Sequence, residues 1–380
     1  MALRTLLSTD QIKPFLQKAW EVSGFTELTP IQEKAGPVIM GGEDVIAESP
    51  TGSGKTLAYL LPLLQEIDSN QKNIQVMILA SSHELVMQIH QELQKWTIDS
   101  GIGSATLIGG ANVKRQLEKL KKRPQIILGT PGRIQELLKS KKLKVHEVKK
   151  IVLDEADQLL VPEHINEVEN IIKSTLRERQ VLLFSATLSN SIEQKAATFM
   201  KEPQVIRINE QELDRPNVEH MYFVCDARDK IELLRKVLKA DEKKALVFVR
   251  DIGNLSVMAE KLEYMGVSVG QLHGNTKKQE REKAIRDFKS GKSQLLLGTD
   301  VAARGLDIPD LTHVVHMDIS SDATQYQHRS GRTGRLGSVG GTVISIITVA
   351  EERNLQKISR VLGLEIAKKK IYKGNIVDER

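Results

Sequence analysis

Ser49-Pro50-Thr51-Gly52-Ser53-Gly54-Lys55-Thr56 follows an apolar run ending at Glu48 and precedes a helix-forming stretch from Leu57. A glycine-bearing loop in that context closes around phosphates. Its backbone N–H groups and the helix N-terminus supply partial positive charge, Lys55 reaches the β- and γ-phosphates, and Thr56 can ligate magnesium. The usual formula opens on glycine where this chain has Ser49. The competing reading is a plain glycine-rich turn, but strand, glycines, Lys-Thr and helix all agree on the phosphate loop. Further along, Ile151-Val152-Leu153 delivers Asp154-Glu155-Ala156-Asp157 to a sheet's carboxyl edge, where open α/β folds bind ligands. Asp154 there would hold magnesium through its water shell, and Glu155 would orient and polarise an attacking water. Alone, such a cluster reads as an acidic helix cap. Beside a phosphate loop it specifies hydrolysis of a nucleoside triphosphate.

A third group is His328-Arg329-Ser330-Gly331-Arg332-Thr333-Gly334-Arg335, in which arginines recur at three-residue spacing among glycines. Most such clusters are solvated loops. Phosphoanhydride hydrolysis, however, gains greatly from guanidinium groups supplied by a second module, so Arg332 and Arg335 read as such groups. Catalysis would then require two halves to close.

Those halves are visible in the elements that must position the residues. Short runs rich in Val, Ile and Leu alternate with stretches of helical periodicity along the whole chain, the pattern of βαβ units and of parallel sheets covered by helices. Strands are expected at Asp44–Glu48, Ile74–Ala80, Ser104–Ile108, Gln125–Thr130, Lys150–Asp154 and Gln180–Ala186. A second series is expected at Met221–Val224, Ala245–Val249, Ser268–Leu272, Gln294–Thr299, His313–Met317 and Thr342–Ile347. The two series look like copies: Gln125-Ile126-Ile127-Leu128-Gly129-Thr130 is matched by Gln294-Leu295-Leu296-Leu297-Gly298-Thr299 at the same distance from the preceding strand. The fold class is therefore α/β, two tandem domains with a seam in the polar, proline-bearing stretch Lys201–Asn217. The boundaries read as domains at 1–208 and 218–364, a linker at 209–217 and a short basic tail at 365–380.

Composition agrees. The chain has 380 residues, 40% apolar and 27% charged, with 26 Gly and 11 Pro, which is globular and excludes collagen-like or wholly disordered classes. A net charge of +6 permits a polyanionic partner without demanding one. The single cysteine, Cys225, excludes an intrachain disulfide and argues against a cysteine-based zinc site, pointing to a reducing cytoplasm. No apolar run approaches the roughly 18 residues that would span a bilayer, and the first residues do not make a signal peptide.

In order and spacing, these motifs resemble those of a DEAD-box ATP-dependent RNA helicase, of a minimal bacterial type without an accessory RNA-binding domain. The resemblance implies two RecA-like domains, ATP and Mg2+ as cofactors, and RNA-stimulated ATP hydrolysis. Gly24-Phe25-Thr26-Glu27-Leu28-Thr29-Pro30-Ile31-Gln32 looks like the family's adenine-reading element, with Phe25 stacking on the base, Gln32 bonding its edge and Thr29 beside them. The hydroxyls of Ser185 and Thr187 in Ser185-Ala186-Thr187 are implied to bond the Asp-Glu-Ala-Asp segment and transmit domain closure, with Asp157, His328 and Arg329 also given coupling roles, and Gly305 and Asp307 to contact the ribose. By the same resemblance, a single RNA strand would be held by Gly109-Gly110, Thr130-Pro131-Gly132-Arg133, Gly274-Asn275 and Thr299-Asp300, with Arg250 and Arg281 adding charge. Glycine-bearing loops suit close approach of backbone to phosphate. With aromatics at 4% and none in these loops, base stacking is not the mode; binding is sequence-independent and salt-sensitive.

The chain departs from the family at Ser81-Ser82-His83-Glu84-Leu85-Val86, which loses an arginine at His83, at Leu28, and at Asn275 and Lys278, which add positive charge. Basic runs at Lys119–Arg123, Lys139–Lys144 and Lys368–Lys370 read as solvated faces. The expected activity is local, non-processive separation of short RNA duplexes or remodelling of RNA–protein complexes, in ribosome assembly or RNA turnover, by a cytoplasmic monomer with single-stranded and duplex RNA and ribonucleoprotein partners. Alternatives are an ATP-dependent RNA clamp and a DNA helicase on the same core.

Overall fold

The structure, a computed structural model, describes residues 2–110, 112–209, 212, 217–241, 244–303, 308, 311–334 and 340–379, apart from the side chains of Asp241, Lys278 and Val301. The chain divides into two compact units, Met1–Leu213 and Asp214–Arg380.

The first unit holds seven strands: β1 (Val45–Glu48), β2 (Val76–Ala80), β3 (Ser104–Leu107), β4 (Ile126–Gly129), β5 (Lys150–Asp154), β6 (Gln180–Ser185) and β7 (Gln204–Arg207). They pair in the order β3-β4-β2-β5-β6-β1-β7, all parallel. The inner strands are near-continuous apolar runs because both sheet faces are covered. Their side chains split into two clusters, one containing Ile78, Val152 and Phe184 and the other Met77, Leu153 and Leu183. The helices are α1 (Ala2–Leu7), α2 (Pro14–Ser23), α3 (Pro30–Met40), α4 (Lys55–Glu66), α5 (His83–Trp96), α6 (Val113–Lys121), α7 (Pro131–Lys139), α8 (Ala156–Leu159), α9 (Ile165–Lys173) and α10 (Asn190–Ala197). α1 lies so close on α3 that a Cβ at Gly36 would stand 2.3 Å from the Leu6 carbonyl oxygen.

The second unit repeats the winding. β8 (Val218–Val224), β9 (Ala245–Phe248), β10 (Val269–Leu272), β11 (Leu295–Gly298), β12 (His313–His316), β13 (Gly341–Ile347), β14 (Ala367–Tyr372) and β15 (Asn375–Asp378) pair in the order β10-β11-β9-β12-β13-β8-β14-β15. α11 (Lys230–Asp241), α12 (Ile252–Tyr264), α13 (Lys278–Lys289), α14 (Asp300–Ala303), α15 (Ala323–Ser330) and α16 (Val349–Leu362) cover it. The duplication extends to register: Leu79 is opposite Gly129 in the first sheet and Phe248 is opposite Gly298 in the second.

Two expectations are corrected. β7 lies inside the stretch read as a seam and adds an edge strand beside β1; only Ile206 of its four residues is buried, and two apolar residues between Gln204 and Arg207 are too short a run to announce it in sequence. Residues 365–380 are not a tail: β14 runs parallel to β8 and turns at Lys373-Gly374 into antiparallel β15, while Ile371 and Ile376 pack on the second unit's core. Lys369 pairs with Asp378 at 2.7 Å and Lys368 with Glu352 at 3.3 Å, so charges that looked like a solvated run belong to a strand. Among the described residues no helix is long and apolar enough to cross a membrane.

Candidate active site and strand-facing loops

β1 opens directly into the phosphate loop, whose first residue extends the ladder through Ser49 N–H to Ser185 O at 3.0 Å. The Ser49 hydroxyl donates to Ser53 Oγ at 2.6 Å, and both side chains are fully buried, which gives the departure from glycine a structural use inside the loop. Gly52 and Gly54 have φ of 73° and 90°, values that glycine takes at no steric cost. Lys55 Nζ donates to the carbonyls of Ser49 at 2.5 Å and Pro50 at 3.0 Å. Against this loop packs the start of α3. Gln32 Oε1 accepts from Thr29 N–H at 3.1 Å, and its Nε2 donates to Gly54 O at 3.3 Å, so the expected adenine reader is physically joined to the phosphate loop.

Phe25 is 48% exposed, yet its ring is not isolated. It stacks on Trp96 at 6.3 Å and 15° and meets Trp20 edge-on at 5.9 Å. Sequence reasoning missed these supporting rings because they come from α2 and α5, far apart in the chain.

β5 carries Asp154 to the same edge, where it is 4% exposed. Its Oδ2 accepts from the Tyr59 hydroxyl at 2.8 Å and its Oδ1 from Glu155 N–H at 2.9 Å. Burial pushes the carboxyl up to about 6, while Lys55 and Tyr59 oppose that rise. Tyr59 is likewise pushed up, first by burial and then by Asp154. Tyr59 was missed in sequence; the available signal was a hydroxyl four residues after Lys55 in the otherwise apolar stretch Leu57–Leu64. Glu155 has φ of 54°, a left-handed backbone uncommon for a non-glycine residue and typical of strained functional positions. Its Oε2 accepts from the Ser81 hydroxyl at 2.5 Å. Ser185, at the end of β6, donates to Asp157 Oδ1 at 2.7 Å and lies 2.6 Å from Thr187 O, while Thr187 N–H donates back to Ser185 Oγ. Among the described residues no group of three or more metal-ligating side chains forms.

The loops expected to meet RNA lie at the carboxyl ends of β3 and β4. Gly110 has φ of 67°, and a Cβ at Gly109 would lie 3.4 Å from His83 Nε2. Thr130 caps α7 and Gly132 is exposed, but Arg133 is only 9% exposed and lies 3.0 Å from Glu136 Oε2. Arg133 is therefore largely withdrawn from solvent beside an i,i+3 carboxylate on its own helix, with its Nε and Nη1 buried and without a hydrogen-bond partner among the described residues.

In the second unit Gly274 and Asn275 sit exposed after β10, and Arg250, also exposed, anchors its N–H on Asp318 Oδ2 at 2.7 Å. Arg281 donates to Ala302 O at 2.7 Å. Thr299 follows β11 with its N–H on Leu272 O at 3.1 Å. Asp300, grouped by expectation with the strand-holding residues, instead takes Arg329 bidentately, from Nε at 2.5 Å and Nη2 at 2.6 Å, and also accepts from Gln325 at 2.9 Å. A carboxylate repels phosphate, and this one is committed to an arginine that is 3% exposed, lies 5.3 Å over the Phe248 ring and donates to Asp318 O. The first arginine of the triplet thus anchors α15 rather than facing outward. Arg332 is 7% exposed and its Nε donates to His328 O at 3.2 Å. Gly305, Asp307 and Arg335 lie outside the described residues.

The family profile described as DEAD/DEAH box helicase matches residues 29–195, and that of the helicase conserved C-terminal domain matches residues 229–337. The chain is 54% identical over 360 residues to the probable ATP-dependent RNA helicase YfmL of Bacillus subtilis, covering 95% of each. It is 49% identical over 369 residues to the DEAD-box ATP-dependent RNA helicase CshC of Bacillus cereus, covering 97% of this chain and 94% of that one. Among solved structures, S. cerevisiae Dbp5 bound to RNA and ADP BeF3 superposes with a TM-score of 0.86 at 28% identity, over 97% of this chain and 95% of Dbp5. With the phosphate loop, the Asp-Glu-Ala-Asp turn and two mostly parallel sheets in place, the chain belongs to the DEAD-box family of ATP-dependent RNA helicases.

Proposed function

We propose that RNA-stimulated hydrolysis of ATP by this chain drives local, non-processive separation of short duplexes or remodelling of RNA–protein complexes. The observation that carries the reading is the pair at the end of β5: a buried Asp154, and next to it Glu155 held in a left-handed backbone with its carboxylate fixed on Ser81. Lys55 exchanges its two loop carbonyls for phosphate oxygens, Glu155 orients the attacking water and accepts its proton, and Gln32 with Phe25 reads the adenine. Thr56 and Asp154 would hold magnesium, partly through water; a single buried carboxylate near a hydroxyl suits a hard cation that keeps most of its waters. That ion, when bound, neutralises charge on the phosphates. The Ser185–Asp157 bond ties the acidic turn to the end of β6, which supports a coupling role for both. Arg332 and Arg335 stand as the second unit's contribution to turnover.

RNA contact through Gly109-Gly110, Thr130–Gly132, Gly274-Asn275 and Thr299 would be to backbone and independent of sequence. The setting is a reducing cytoplasm, supported by the lone thiol of Cys225, with monomeric action in ribosome assembly or RNA turnover. In an RNA-stimulated ATPase assay, Glu155→Gln keeps ATP binding and loses at least about 100-fold in turnover, while Lys55→Ala impairs both. Wild-type ATPase indifferent to RNA would sink the reading. Retention of RNA on an ATP analogue with no duplex separation would replace unwinding by clamping.

A further inference from the structure

α6 and α7 each begin at a loop that the proposed function gives to RNA, and both run back along one face of the first sheet. Val113, Leu117 and Leu120 of α6 and Ile134, Leu137 and Leu138 of α7 share one apolar cluster, so both helices cover the same face of the sheet and their outward surfaces belong to one flank of the unit. That flank is cationic from the Gly109-Gly110 turn to the far edge of the sheet. Lys114 and Arg115 in the first turn of α6, Lys119 near its end, Lys122 and Arg123 just past it, and Lys141, Lys142 and Lys144 after α7 are all exposed, and none has a carboxylate within ion-pair distance among the described residues.

Two features separate this flank from an ordinary solvated face. Arg123 and Lys141 occupy equivalent places just past their helices, with φ of 51° and 56° and their N–H groups bonded back to Leu120 O and Leu138 O. Glycine takes that left-handed position at least cost, yet both helices end there on a cation. A helix dipole accounts for one favourable charge at each end, not for clusters of mutually repelling ones. Secondly, residues 109–149 contain no Phe, Tyr or Trp, so the flank has nothing on which an unstacked base could lie. Such a surface suits sugar–phosphate backbone, recognised by charge and shape and not by base stacking. α6 alone spans about 13 Å at 1.5 Å per residue, long enough to follow a duplex leaving the loops.

We propose that this flank is a second RNA contact, which takes the sugar–phosphate backbone of a duplex arm adjoining the single strand held at Gly109-Gly110 and Thr130–Gly132. The inference rests on those loops holding RNA. It is tested on the full chain with two probes, a short single strand and the same strand ending in a hairpin arm, measuring Kd across a salt titration. A variant carrying Lys119→Ala, Lys122→Ala and Arg123→Gly, and a second carrying Lys141→Gly, Lys142→Ala and Lys144→Ala, remove charge while the glycines favour the native backbone. Each should bind the hairpin probe about 10-fold or more weakly and lower its salt slope by roughly 2–3, at about 0.9 per duplex phosphate released, while the bare strand changes less than about twofold. Equal losses on both probes, or none on either, overturn the proposal, and an effect only with an acidic protein partner does so too. Failure of the wild type to bind even the bare strand would instead overturn the reading of the loops.

Discussion

Replacing Gly54 by alanine probes the join between the proposed adenine-reading and phosphate-binding elements. Gly54 has φ of 90°, and a Cβ there would stand 2.6 Å from Gln32 Nε2 and 3.0 Å from Thr29 Oγ1, both too close to coexist unmoved. The variant therefore meets two separable costs. Left-handed backbone with a side chain costs about 1–2 kcal/mol, and expelling the Gln32 amide forfeits its bond to Gly54 O, a further ~0.5–1.5 kcal/mol. Gly42→Ala isolates the first cost, since Gly42 has φ of 81° and nothing within 4 Å of the new methyl. Calorimetry should show both variants melting lower, at about 2–4 °C per kcal/mol for a unit of this size, with Gly54→Ala lower than Gly42→Ala. Steady-state ATPase at saturating RNA should show the functional difference. Gly42→Ala keeps the wild-type KM for ATP, whereas Gly54→Ala raises it by roughly 5–30-fold, the factor for one or two kcal/mol, and narrows the preference for ATP over GTP. If Gly54→Ala melts with Gly42→Ala and retains both the KM and the base preference, Gln32 does not act through this contact.

The other predictions concern the second unit. Asp300→Asn leaves the buried Arg329 guanidinium facing a neutral amide and should lower that unit's melting temperature by roughly 6–12 °C, for a loss of about 3 kcal/mol; an unchanged melt would show that the pair contributes nothing. His220, whose Nδ1 lies 2.9 Å from the Tyr326 hydroxyl, is pulled down to about 4 by burial, and His316 is also held well below the usual imidazole range by burial, then by Arg329 and His220. Both rings stay neutral in the fold while the unfolded chain protonates near pH 6.5, so stability is complete above that value and falls as the pH drops toward 4. Hydrogen exchange in β8 and β12 should quicken over that window, and His220→Asn should flatten part of the dependence; a wild-type profile independent of pH there would contradict the buried neutral rings.

Much of this arrangement was legible because it rests on local pattern. Phosphate loop, acidic turn and apolar strands are each written in a few consecutive residues, and the repeated Leu-Gly-Thr strand ends announced the duplication before any pairing was seen. What escaped depends on contacts between distant residues. Tyr59 on Asp154 and Trp96 on Phe25 have no sequence signature beyond residue type. The intramolecular partners of Asp300 and Arg133 escaped because charge alone does not say which neighbour a side chain meets. β14 failed as a strand in sequence because its lysines suggested solvent, although it runs between β8 and β15 and Lys368 and Lys369 find carboxylate partners there.

The rings around Phe25 have an optical consequence. The chain has two tryptophans, Trp20 and Trp96, and both lie in the first unit against that one phenylalanine. Indole emission from the unlabelled protein therefore arises in the first unit alone. A ligand that engages Phe25 shifts the signal directly, and an unfolding curve followed by emission can part company with one followed by backbone dichroism. The separation between the two curves would measure how independently the two units melt, with no introduced dye.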